Sequence, residues 1–104
     1  DFDINSLNNE YYSKGEGKII YDWLVKNASK YGFYQPYTSG RDTGYKEEKW
    51  HWSYLPLSKQ FLNDWNTLCS DMKSDFWKEL TFKGVEHVGH LATIYVNSIN
   101  IECK

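Results

Sequence analysis

Apolar and polar residues change their spacing several times along the chain, and each change predicts a new element. Asp1-Phe2-Asp3-Ile4 alternates, so residues 1–6 are expected as a short strand with Asp1 and Asp3 on one face and Phe2 and Ile4 on the other. The chain opens into this strand without a leader or cap and reads as truncated or processed, with any targeting segment upstream. Residues 5–17 are polar and contain glycine, which suits a loop. From Lys18 to Tyr31 the apolar positions Ile19, Ile20, Trp23, Leu24 and Ala28 recur at helical spacing, and Gly32 stands where a helix-ending glycine belongs. Phe33 and Tyr34 suggest a brief strand before Pro36, residues 38–44 a loop, and the aromatic alternation of residues 49–54 another strand.

The second half is helical in pattern. Pro56 fits the first turn of a helix whose stripe is Leu57, Phe61, Leu62, Trp65 and Leu68. A short helix is expected over residues 74–80. A last one is expected over residues 85–99, with Val88, Leu91, Ala92, Tyr95 and Val96 on its buried side. No repeat, low-complexity tract or linker interrupts this order. The expected class is α+β, a small antiparallel sheet flanked by helices.

Composition narrows the function classes. The 12 Lys+Arg and 14 Asp+Glu balance to a net charge of −2, which offers no electrostatic footprint for nucleic acid or an anionic membrane. No apolar run is long enough to cross a bilayer. The 18% aromatic content supplies buried area to a small core or, alternatively, a groove for a sugar or peptide; composition favours the core. Cys69 and Cys103 make neither a disulfide framework nor a metal knuckle, and pairing and free thiols both remain open.

The sharpest chemical feature is Glu48-Lys49-Trp50-His51. A neutral imidazole ligates zinc, and a nearby carboxylate that is not a ligand serves as proton acceptor in zinc hydrolases. A separation of three places the two side chains on opposite faces of a regular strand. They reach one point only if the backbone breaks between them. His87 and His90, beside Glu86, share a helix face and are either surface histidines, the plainer reading, or substitute ligands. Trp23 is expected in the core, Trp50 and Trp52 beneath His51, and Ser53 on the face of His51. No Ser/His/Asp triad, Cys/His pair or phosphate loop is present in the sequence.

Residues 22–54 resemble the region around the second metal motif of the VanY-type D-Ala-D-Ala carboxypeptidases. The matching residues are Trp23-Leu24, Asn27-Ala28, Lys30-Tyr31-Gly32-Phe33, Tyr37, Thr43-Gly44-Tyr45 and Glu48-x-Trp50-His51. Asp1-Phe2-Asp3 resembles the end of that family's first motif, S-x-H-x-x-G-x-A-x-D, with Asp1 in place of the usual Ala. The resemblance implies Glu48 as general base on a zinc-bound water, and Asp3 and His51 as zinc ligands. The motif's His falls seven residues before Asp3, outside this sequence. Gln35-Pro36-Tyr37 departs from the family's Arg-Tyr-Pro run, leaving Arg41 as the local basic residue to meet substrate or hold the fold. Ser53 is the other substrate or supporting candidate.

By the same resemblance, residues 1–104 are the C-terminal part of one peptidase catalytic domain with the hedgehog/D,D-peptidase-like fold. The expected cofactor is Zn2+, the substrate a peptidoglycan stem peptide ending in D-Ala-D-Ala, and the location the cell envelope, periplasmic or secreted. With two of three ligands, the chain as written is expected to bind zinc poorly and to be inactive alone. A wall-binding module that keeps the fold without catalysis is the main alternative. A protein-interaction domain has no positive support beyond the helical second half.

Overall fold

The computed structural model describes residues 1–70, 79 and 82–104; the helix expected over residues 74–80 lies outside these, apart from position 79. The architecture is α+β. Strand β1 is Phe2–Asp3, helix α1 Gly15–Asn27, β2 Phe33–Tyr34, β3 His51–Tyr54, α2 Leu55–Cys69 and α3 Val85–Asn97. Among the described residues, short 3-10 turns also stand at Asn9–Ser13, Ala28–Tyr31 and Ile101–Cys103. The sheet has strand order β1-β3-β2 with both pairings antiparallel, and β3 lies in the centre.

Local chemistry accounts for most boundaries. Gly32 adopts φ 82° and ends the first helical segment, a backbone conformation that costs little only without a Cβ. Pro56 lies in the first turn of α2, where a missing N–H costs no intrahelical bond. The expected loop over residues 5–17 instead contains the 3-10 turn at Asn9–Ser13, capped by the Asn8 side chain, which accepts from the Glu10 N–H. The strands are shorter than their alternation suggests because pairing reaches only residues 2–3 and 51–54. Lys49 and Trp50 lie in a turn, not in β3.

Among the described residues the helices lie near their expected positions, but only part of each expected apolar stripe is covered. On α1 the covered stripe runs Gly17, Tyr21, Leu24 and then Ala28, while Ile19 and Trp23 face out. Trp23 is therefore not core; it stacks on exposed Tyr31, ring centroids 6.3 Å apart. On α2 Leu62 and Cys69 are buried and Leu57, Phe61 and Leu68 are exposed. On α3 Val88, Leu91, Tyr95 and Val96, expected inside, are exposed; Ala92 is partly covered, as are Val85 and Thr93, and Gly89 is buried. The physical reason is supply: a sheet with strands of two to four residues offers less surface than three apolar-striped helices can cover.

The well-buried centre is small and sits under β3. Trp52 is 3% exposed and Tyr12 1% exposed, and Tyr21 bridges them at ring distances of 6.4 and 6.3 Å. The Tyr12 hydroxyl shares its proton between the carbonyl of Ile4 and that of Ser6, 2.7 Å away, which ties the chain after β1 to this centre. Cys69 and Cys103 are both buried free thiols.

Candidate functional site

Asp3 and His51 meet because the sheet register places them opposite one another. The Ile4 N–H donates to the Trp50 carbonyl at 3.0 Å, so residues 4 and 50 form the hydrogen-bonded pair. Asp3 and His51 are then the adjacent non-hydrogen-bonded pair, the position where opposed side chains stand closest. Asp3 Oδ1 lies 3.0 Å from His51 Nδ1.

Glu48 joins this pair through the backbone break that its spacing requires. The chain turns over residues 48–51, with the His51 N–H directed at the Glu48 carbonyl at 3.4 Å. The turn swings the Glu48 carboxylate to the His51 side, leaving Oε2 3.7 Å from Nδ1. On the far edge of the ring, Asp1 Oδ2 stands 3.3 Å from Nε2, while Asp1 Oδ1 accepts from the hydroxyl of buried Ser53. Even so, His51 Nε2 is buried without a well-directed hydrogen bond. Tyr37 packs against the imidazole at 5.0 Å between centroids, and burial first, then the Glu48 charge, pushes its phenol pKa up.

The backbone around Glu48 is tied at each polar group. Its N–H donates to the Tyr37 carbonyl at 2.9 Å, and its carbonyl accepts from Gln35 Nε2 at 3.1 Å. Asn9 straddles the residue, donating to the Glu47 carbonyl at 2.7 Å and accepting from the Lys49 N–H at 3.0 Å. Neither Asn9 nor Gln35 stands out in the sequence. Gln35 leaves only a faint signal, as one polar residue set within an aromatic run.

Arg41 uses four of its five N–H donors on main-chain carbonyls, those of Thr38, Thr43, Tyr45 and Ser98. It thereby fastens the loop over residues 38–45 to the end of α3. Its guanidinium also lies 5.7 Å from the Tyr37 ring centre. His87 and His90 are exposed on α3, and His87 Nε2 lies 3.4 Å from Glu86 Oε1.

Two donor atoms suit a zinc ion. Adjacent corners of a zinc tetrahedron with bonds of about 2.0–2.2 Å stand about 3.3–3.6 Å apart. The 3.0 Å between Asp3 Oδ1 and His51 Nδ1 is a few tenths below that span. Among the described residues no group of three or more His, Cys, Asp or Glu is arranged to hold a metal ion. A complete catalytic zinc site takes three protein ligands, so the donor set here supplies two corners.

His51 on the central strand, Asp3 opposed to it and Glu48 on the adjoining turn thus lie together on a small sheet with flanking helices. The family model for VanY, D-alanyl-D-alanine carboxypeptidase, matches residues 1–57, a stretch that contains Asp3, Glu48 and His51. The chain belongs to the D-alanyl-D-alanine carboxypeptidase family. Comparison with curated proteins gave no match, and comparison with solved structures gave none.

Proposed function

We propose that this protein is a zinc carboxypeptidase that removes the terminal residue of peptidoglycan stem peptides ending in D-Ala-D-Ala, acting in the cell envelope. The observation that carries the proposal is the convergence of Asp3 Oδ1 and Glu48 Oε2 on one nitrogen of His51, at 3.0 and 3.7 Å. Asp3 and His51 hold the metal, with a third ligand supplied by the His that the family's first motif places upstream of Asp3. Residues 1–104 form the C-terminal part of that catalytic domain. Bound zinc supplies Lewis acidity, polarising the scissile carbonyl and acidifying water toward a pKa of about 7.

Glu48 Oε2 takes the proton of the attacking water and passes it to the leaving amine. Glu48 is half-buried, and its main chain is fixed on both sides, which limits where the carboxylate can reach. Asp1, oriented by Ser53, steadies the ring edge of His51 away from the metal. An open, largely apolar groove of about 520 Å³ runs from Asp1, Tyr37 and Ser53 along Leu57, Phe61 and Val96, beside the Nε2 edge of His51.

The test is release of D-Ala from a D-Ala-D-Ala peptide by the full-length protein, with zinc measured per chain. Turnover abolished by a chelator and by Glu48→Gln, with zinc retained in the variant, is the expected result. Peptide binding without turnover, unchanged in Glu48→Gln, would instead identify a non-catalytic wall-binding module.

A further inference from the structure

We infer that Asn9 and Gln35 are positioning residues for the Glu48 carboxylate, forming a two-amide clamp on the turn that carries it. The inference rests on the proposed role of Glu48 as general base. A proton acceptor on a loop needs a fixed main chain, because a displacement of about 1 Å from the reacting atoms costs on the order of 100-fold in rate. Glu48 lies outside any strand or helix, so the sheet ladder that fixes His51 does not fix it.

The two amides supply what the ladder does not. Asn9 pairs with the chain as a neighbouring strand would, taking the Lys49 N–H at 3.0 Å and giving an N–H to the Glu47 carbonyl at 2.7 Å. It reaches there from nearly forty positions away, at the start of the 3-10 turn capped by Asn8. Gln35 is 7% exposed and uses its whole amide: Nε2 donates to the carbonyls of Tyr37 at 3.0 Å and Glu48 at 3.1 Å, and Oε1 accepts from the Tyr21 hydroxyl at 2.8 Å. A buried amide with both donors and its acceptor engaged, on Glu48, Tyr37 and Tyr21, has its orientation determined. Asn9 and Gln35 approach from different elements, so the main chain that carries the carboxylate is held from two sides.

Neither residue touches the imidazole or Asp3 through these bonds, which separates their effect from metal binding. The experiment compares full-length zinc-loaded wild type, Asn9→Ala, Asn9→Asp and Glu48→Gln on a D-Ala-D-Ala peptide. Zinc content, thermal midpoint and hydrogen exchange of the Lys49 amide are measured beside the kinetics. The clamp predicts kcat about 10–100-fold lower in Asn9→Ala, with KM and zinc content within about twofold of wild type and faster Lys49 exchange. Asn9→Asp keeps the acceptor for Lys49 and loses the donor to Glu47, so its kcat falls between the two. Wild-type kcat in Asn9→Ala overturns the inference, as does a parallel fall of kcat, zinc content and thermal midpoint in both Asn9 variants. Failure of the underlying function shows separately, as wild type without turnover or Glu48→Gln with it, and removes the inference as well.

Discussion

Asp3 and His51 are directly opposed across the β1–β3 ladder, with 3.0 Å between Asp3 Oδ1 and His51 Nδ1. β1 contributes only two residues to the sheet, yet its register decides whether a carboxylate or an apolar side chain faces the imidazole. A slip of one residue would turn Asp3 to the other face.

Asp3→Asn in the full-length protein tests the metal role of this pair. An amide oxygen is a poorer zinc donor than a carboxylate, and zinc affinity is expected to fall by more than about 100-fold, beyond the 10–100-fold typical of residues that only support a ligand. A competition titration with a chromogenic chelator reads it; affinity within about threefold of wild type would remove Asp3 from the ligand set.

Tyr12→Phe is expected to loosen β1. It leaves the carbonyls of Ile4 and Ser6 without their buried hydroxyl partner, a cost of about 1–3 kcal/mol. Urea unfolding measures the loss. Zinc affinity should fall with it, since the strand that carries Asp3 is the one released.

Gly44→Ala strains the loop that Arg41 fastens. Gly44 has φ 84°, and a Cβ there would stand 2.5 Å from the Ser98 carbonyl oxygen and 2.6 Å from its Cβ. Backbone conformation and contact act in the same direction, giving an expected destabilisation of about 1–3 kcal/mol. A thermal midpoint equal to wild type would show that the loop and α3 separate at little cost.

Cys103 makes a prediction for alkaline pH. Burial foremost, then the Glu102 charge, pushes its thiol from 9.0 up to about 11. The folded chain thus holds the proton more tightly than the unfolded one. The stabilisation is full below pH 9 and is lost as pH rises through about 11. Cys103→Ala should reduce the fall in urea midpoint over that window without abolishing it, because Tyr12, Tyr21 and Tyr37 are raised in the same direction. At pH 8 in native buffer the wild-type thiol should resist alkylation.

Much of this was legible from residue order alone. The helices around residues 15–27, 55–69 and 85–97, the αL glycine at Gly32 and the α+β class follow from local spacing and turn chemistry, which act over a few residues. The motif Glu48-x-Trp50-His51 and the family it resembles were equally visible, because they are contiguous in the chain. Which helix faces are covered depended on the partners available, so Trp23, Phe61 and Leu91 lie outside despite their helical spacing. The turn over residues 48–51, the Asp3–His51 register and the reach of Asn9 to residues 47 and 49 were settled by tertiary structure. The register and the reach of Asn9 join positions 38 to 48 residues apart, and such pairings are chosen by competition among whole-chain arrangements, which no local pattern encodes.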